Sequence, residues 1–262
     1  MEILKARDKV ESFLDALKAQ GRERVIMLDY DGTLAPFVVD RNRAIPYPGI
    51  VELLDEILTH ENNKLIIVTG RNAREILDLL PLRHPFEIFG GHGSERLARN
   101  GKLSKVPLDN SVKQAFSMFK RWAECQGLGD RTEVKHGALA FHVRGMPHDA
   151  ALALLDKARR KMIELKKDLE LEIRQFDGGI EMRTPGTHKG KVVRTVVSET
   201  NPSALITYLG DDLTDEDAFR ALGDRGVSVL VRPVFRKTAA DVWITPPDEL
   251  KEWLSRFILL NK

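Results

Sequence analysis

Four short apolar runs, at residues 25–28, 65–68, 205–209 and 227–231, carry no polar alternation and are bounded by turn residues. Runs of this kind fit strands buried on both faces of a parallel sheet. Between them, Ile50, Val51, Leu53, Leu54, Ile57 and Leu58 recur at helical spacing, and residues 73–80 predict a further helix ending before Pro81. Near the N-terminus Val10, Phe13, Leu14 and Leu17 predict an amphipathic helix. Strand and helix in alternation predict an α/β fold with a Rossmann-like, doubly wound parallel sheet. Such sheets bind ligands beyond the carboxyl ends of their strands, so the residues that follow each run are the first candidates for chemistry.

The middle of the chain has a different rhythm. Val112, Ala115, Phe116, Phe119 and Trp122 form one helical face, residues 133–135 and 138–144 flank a turn at His136-Gly137, and a second helix is predicted over 149–167. Leu169, Leu171 and Ile173 then alternate with charged residues as a half-solvated strand, Asp177-Gly178-Gly179 signals a turn, and residues 180–183 resume the alternation. The order α-β-β-α-β-β predicts an α+β module at 107–183, inserted between α/β segments at 1–106 and 184–262.

Composition narrows the class. The 262 residues include 41 Lys or Arg and 39 Asp or Glu, a net charge of +2 that gives no reason to expect a nucleic-acid or membrane-surface partner. A single cysteine, Cys125, excludes a disulfide framework within the chain and a cysteine-based zinc site. With no uninterrupted apolar stretch at the N-terminus, the expectation is a cytoplasmic protein.

The charges matter through their positions. Asp29-Tyr30-Asp31-Gly32-Thr33 follows the first run, and Gly210-Asp211-Asp212-Leu213-Thr214-Asp215 follows the third. Acidic side chains converging on one sheet edge repel one another and carry a desolvation cost unless a hard cation lies between them. Magnesium suits such a place, since it takes carboxylate oxygens and leaves positions for water and phosphate. Taken singly, either segment also reads as turn and helix-cap chemistry. Val68-Thr69-Gly70-Arg71 adds a hydroxyl at a strand end, and His188-Lys189-Gly190-Lys191 adds an ammonium before a helix. Together they supply what phosphoryl transfer needs: a nucleophile, a second carboxylate, a hydroxyl donor, a lysine and a metal-binding pair.

The ordered set Asp-x-Asp-Gly-Thr, Thr-Gly-Arg, Lys-Gly and Gly-Asp-Asp-x-x-Asp resembles the four motifs of the haloacid dehalogenase (HAD) phosphatases. Asp31 stands where a P-type ATPase carries lysine. Gly90-Gly91-His92-Gly93-Ser94-Glu95, Glu133-x-Lys135, His142-Val143-Arg144 and Glu181-x-Arg183 narrow the likeness to the trehalose-6-phosphate phosphatases. The resemblance implies a HAD core with a mobile C2-type cap that closes over a sugar phosphate, a Mg2+ cofactor and a functional link to a trehalose-6-phosphate synthase. It implies Asp29 as nucleophile, Asp31 as general acid and base, Thr69 as phosphoryl donor, and Lys189 oriented by Asp215. It places the metal on Asp29, the Asp31 carbonyl and Asp211, supported by Asp212. Arg71, His92, Glu133, Lys135, Arg144, Glu181 and Arg183 would bind substrate, although charges alternating on a strand also describe its wet face. Phosphatases of glucosylglycerol phosphate, mannosyl-3-phosphoglycerate or sucrose phosphate share the core motifs, and a non-catalytic sugar-phosphate-binding protein of the same fold is a further alternative.

Overall fold

The structure is a computed structural model that describes residues 1–19, 21–38, 43–176 and 178–258. In chain order its elements are β1 (Glu2–Ile3), α1 (Arg7–Leu17), β2 (Arg24–Leu28), α2 (Ile50–Leu58), β3 (Asn63–Val68), α3 (Ala73–Leu79), β4 (Glu87–Gly90), β5 (Glu95–Leu97) and β6 (Leu103–Lys105). There follow α4 (Asn110–Cys125), β7 (Thr132–Lys135), β8 (Ala138–His142), α5 (His148–Leu165), β9 (Glu172–Phe176) and β10 (Gly179–Arg183). The last stretch contains α6 (Lys189–Glu199), β11 (Leu205–Gly210), α7 (Glu216–Leu222), β12 (Val227–Val231), β13 (Val242–Ile244) and α8 (Asp248–Ser255). Two compact units result, one of residues 1–103 with 188–262 and one of residues 104–187.

The first unit is built on a nine-stranded sheet ordered β1-β13-β12-β11-β2-β3-β4-β5-β6. Its six inner strands, β13 through β4, are parallel, and β1 and β5 run antiparallel beside them. Every residue of β2, β11 and β12 is buried, which accounts for their uninterrupted apolar runs. Apolar clusters cover both faces: Val10, Phe13, Leu54 and Trp253 belong to one, Val193, Val196, Phe219 and Leu222 to the other. The chain winds outward from β2 to β3 and β4 on one side and from β11 to β12 and β13 on the other. The order reverses between β2 and β11, and a sheet of this kind opens a ligand crevice at such a reversal. No helix among the described residues is long and apolar enough to cross a membrane.

The second unit is a four-stranded antiparallel sheet, β7-β8-β10-β9, with α4 and α5 on one face. Register divides its side chains cleanly. Leu139, Phe141, Ile180 and Met182 share a cluster with Phe116, Phe119, Ala158 and Met162 of the helices. On the other face Glu133 lies opposite Ala140, which lies opposite Glu181, and the next row is Lys135, Ala138 and Arg183. Small side chains in β8 thus separate two charged ridges.

One expected strand begins late. Leu169 and Leu171 precede β9, because the chain is still closing the end of α5: the Leu169 amide donates to the Lys166 carbonyl, and Lys166 Nζ donates to the Leu171 carbonyl at 3.0 Å. Leu171 is nonetheless buried, so its apolar character reports packing rather than pairing. Of the expected turn at 177–179, Asp177 lies outside the described residues, Gly178 has φ +91° and Gly179 opens β10.

The helix-covered face of the inserted unit generates a prediction. Phe119 is fully buried, with the Trp122 and Phe141 rings 5.0 and 6.0 Å away. Phe119→Ala should destabilise this unit by about 3–5 kcal/mol. In hydrogen exchange, amides of residues 104–187 should lose protection while those of β2, β3 and β11 keep theirs.

Candidate active site

The first carboxylate group grows out of the reversal between β2 and β11. Asp29 directly follows β2, its amide donates to the Leu209 carbonyl, and its side chain is buried. The chain then turns sharply: Gly32 has φ +81° and donates its amide to the Ala35 carbonyl. Glycine is required here twice over. Its φ is left-handed, and a Cβ would stand 2.1 Å from Asp211 Oδ2 and 2.4 Å from Asp211 Cγ.

Across the reversal, Gly210 ends β11 and also has no room for a Cβ, which would fall 2.3 Å from Asp215 Cγ. Asp215 is fully buried and all its oxygens are used. Oδ1 accepts from Lys189 Nζ at 2.8 Å and from the Tyr208 hydroxyl at 2.6 Å, and Oδ2 accepts from the amides of Asp211 and Asp212. Asp212 Oδ1 caps the turn that follows, accepting from the Leu213 amide.

Lys189 opens α6, where the helix dipole disfavours a cation. Its compensation is direct: Nζ stands 2.8 Å from Asp29 Oδ1 and 2.8 Å from Asp215 Oδ1. Burial opposes the ammonium charge, but Asp215 and Asp29 outweigh it and hold the Lys189 pKa above its ordinary value. For Asp29 burial prevails over Lys189, and its pKa is pushed up to about 7. Asp211 is raised as well, by burial first and then by the charges of Asp29 and Asp215.

Asp29, Asp211 and Asp215 each present an oxygen within 4.8 Å of the others. Since both Asp215 oxygens are engaged, Asp29 and Asp211 are the pair left to share a cation. Asp211 Oδ1 is buried and has no hydrogen-bond partner among the described residues. An orphaned buried carboxylate oxygen beside a second carboxylate, in a space that a Cβ at Gly32 would fill, fits a hard, oxygen-seeking ion.

The hydroxyl and guanidinium expected from the second motif lie on the neighbouring strand end. Thr69 is fully buried, and its Oγ1 accepts from the Arg71 amide while keeping its own proton to donate. Arg71 is 1% exposed and forks onto Asp31, with Nε to Oδ2 at 2.7 Å and Nη2 to Oδ1 at 2.5 Å. Its guanidinium also lies 5.4 Å from the centre of the Tyr30 ring. Arg71 therefore holds the second carboxylate of the first motif.

His92 belongs to a loop that braces this one. Gly91, His92 and Gly93 have φ of +53°, +54° and +101°, so a histidine is held in a conformation natural to glycine. The His92 amide donates to the Thr69 carbonyl, the Gly91 amide to the Arg71 carbonyl, and the ring lies against Gly70, whose Cβ would stand 2.7 Å from Nε2. Glu95 completes the brace by accepting from the Ala73 amide at the start of α3.

The remaining expected residues are on the inserted unit. Lys135, Glu181 and Arg183 are buried, which departs from a solvated strand face, and burial raises the Glu181 pKa against the pull of Lys135 and Arg183. Glu133 accepts from His142 Nε2 at 3.0 Å and lies 3.5 Å from Lys135. Arg144 lies beyond β8, its side chain packed where Gly178 leaves room.

A family model described as trehalose-phosphatase matches residues 27–242, which takes in all these elements. The chain belongs to the trehalose-phosphatase family. Trehalose-6-phosphate phosphatase of Escherichia coli strain K12 is 30% identical over 200 residues, covering 76% of this chain and 73% of that protein. A probable trehalose-phosphate phosphatase 3 of Oryza sativa subsp. japonica is 28% identical over 277 residues, covering 94% and 72%. Among solved structures, the C-terminal domain of C. albicans trehalose-6-phosphate phosphatase matches with a TM-score of 0.80 at 23% identity, covering 95% of this chain and 96% of that one, a likeness of fold.

Sequence reasoning missed Tyr208. It reads as one more apolar residue in a buried run, yet a phenol in such a strand must find an acceptor, and here it finds Asp215.

The raised carboxyl pKa of Asp29 sets a pH dependence. An acid whose folded pKa exceeds its unfolded value stabilises the fold fully below the unfolded value and loses that contribution as pH rises through the folded one. Asp29 moves from 3.8 to about 7. In EDTA, the thermal midpoint should therefore fall between about pH 5 and about pH 8, and Asp29→Asn should flatten that slope. A midpoint that is level or rises over this range in the unsubstituted protein would contradict the charge arrangement.

Proposed function

We propose that the protein hydrolyses trehalose 6-phosphate to trehalose and phosphate through an aspartyl-phosphate intermediate. It is a phosphoric monoester hydrolase by family, and the observation that carries the mechanism is Lys189 locked between Asp29 and Asp215 at 2.8 Å from each. The ammonium keeps Asp29 close beside a cation while it attacks a dianionic phosphoryl group, an encounter that charge repulsion otherwise opposes.

In the first half-reaction an Asp29 oxygen bonds to phosphorus and the bond to the sugar 6-oxygen breaks. Asp31 donates a proton to that leaving oxygen. In the second half, Asp31 as carboxylate takes a proton from water, the hydroxyl oxygen bonds to phosphorus, and the acyl-phosphate bond to Asp29 breaks, restoring both side chains. The Thr69 hydroxyl donates to a phosphoryl oxygen. Both Asp31 oxygens accept from Arg71 in the structure, and each keeps a second lone pair for a proton, so Arg71 has the task of positioning the acid.

Asp29, Asp211 and the Asp31 carbonyl would hold Mg2+, with Asp212 shaping the turn behind them. Bound there, the ion supplies positive charge to the phosphoryl oxygens. Substrate selection is assigned to the polar face of the inserted unit. Glu133, Lys135, Glu181 and Arg183 offer donors and acceptors to sugar hydroxyls across the small Ala138 and Ala140 side chains; His92 and Arg144 are assigned to the same task. A trehalose-6-phosphate synthase, which makes the substrate, is the expected functional partner.

A phosphate-release panel tests the substrate. Trehalose 6-phosphate should be turned over at a far higher kcat/KM than glucose 6-phosphate, sucrose phosphate, glucosylglycerol phosphate or mannosyl-3-phosphoglycerate. A better substrate within the panel would reassign the sugar and leave the phosphatase reading in place. Asp29→Asn should lower kcat by about 10³-fold or more, and excess EDTA should abolish turnover. Retained turnover in the variant would remove Asp29 from the nucleophile's role.

A further inference from the structure

The loop after β12 carries two arginines that no motif contains, and both reach the acidic turn after β11. Arg236 donates from Nε and Nη2 to the Asp211 carbonyl at 3.3 and 3.2 Å, and from Nη2 to the Asp212 carbonyl at 2.8 Å. Arg232 Nη1 donates to the same Asp211 carbonyl at 3.2 Å. The remaining face of the Arg236 guanidinium is occupied too: Nη1 donates to Glu216 Oε1 at 2.5 Å and to the Lys237 carbonyl at 3.0 Å. Glu216, 7% exposed, is itself fixed by the Thr238 hydroxyl and the Ala239 amide at 2.7 Å each.

These contacts complete a pattern begun on the other side of the turn. Asp215 Oδ2 accepts from the amides of Asp211 and Asp212, and Arg236 donates to the carbonyls of those same two residues. Two consecutive residues thus have both N–H and C=O groups tied down, the amides by a buried carboxylate and the carbonyls by a planar fork. Backbone motion at these two residues is restrained, which fixes the point from which the Asp211 side chain projects; its Oδ1 has no hydrogen-bond partner among the described residues.

We propose that Arg236 is a positioning residue for the cation site: its fork fixes the 211–212 backbone so that Asp211 is aimed before the ion arrives. The inference rests on the Mg2+ reading given above. It also makes a prediction that opposes simple electrostatics. A guanidinium near a cation site repels the ion, so removing its charge alone should tighten binding. Removing a clamp should loosen it, because the ligand must then be ordered on binding.

Calorimetric titration of the metal-free protein with Mg2+ separates these effects. R236Q loses charge and fork, whereas R236K keeps the charge and loses the fork. Both should bind Mg2+ about 10-fold or more weakly than the unsubstituted protein when each is titrated well below its own thermal midpoint in EDTA, so that binding is read from folded protein. R236K carries the test alone if R236Q does not fold. Tighter binding by R236Q, or unchanged affinity in R236K, overturns the clamp. Absence of Mg2+ binding by the unsubstituted protein overturns the metal reading itself and the clamp with it.

Discussion

Three buried carboxylates, Asp29, Asp211 and Asp215, face one buried ammonium, and that imbalance is the constraint around which the first unit is organised. Carboxylates without counter-charge in a dry site are costly, so the fold spends specific backbone features on keeping them together. Parallel strands bring two acidic turns to the same reversal, glycines at 32 and 210 let them approach, and Lys189 reaches in from the start of α6. Asp215 shows how the fold resolves its share, with both oxygens fully satisfied from within. Asp29 and Asp211 are left short of counter-charge, and that surplus of negative charge is a place for a cation.

Around this centre, loops hold loops. The Thr69-Gly70-Arg71 turn is laced to the His92 loop by two backbone hydrogen bonds and by a ring seated on a glycine. A left-handed histidine costs about 1–3 kcal/mol, and it persists because the surrounding contacts over-determine it. Rigidity at this point serves Arg71, whose fork sets where Asp31 lies.

Four of the six inner strands, β2, β3, β11 and β12, were legible in the sequence because a parallel sheet covered on both sides tolerates no polar alternation, and the acidic turns were legible because they sit directly at the ends of two of those runs; β4 and β13, of four and three residues, are too short to leave such a run. Lys189 was legible through its motif. What escaped was tertiary. Nothing local announces that Arg71 would fork onto Asp31, that Tyr208 would reach Asp215, or that Arg236 would span the carbonyls of Asp211 and Asp212, since each partner lies at least seven residues away. Glu181 and Arg183 were visible as alternating charges, but alternation reports a face and not its exposure. Leu169 and Leu171 mimicked a strand for the related reason that burial at a helix end and burial in a sheet ask for the same side chains.

The sheet of the inserted unit keeps its two jobs on opposite sides of one ribbon. Its aliphatic and aromatic residues answer to α4 and α5, and its charged residues answer to none of that packing. Because successive positions alternate, the two sets can be rewritten independently: an exchange at Glu133 or Glu181 leaves every residue of the apolar side in place. A lineage can therefore change the charged positions one at a time while its folding core stays unchanged, and the same pleat makes a slip of one residue ruinous to both faces at once.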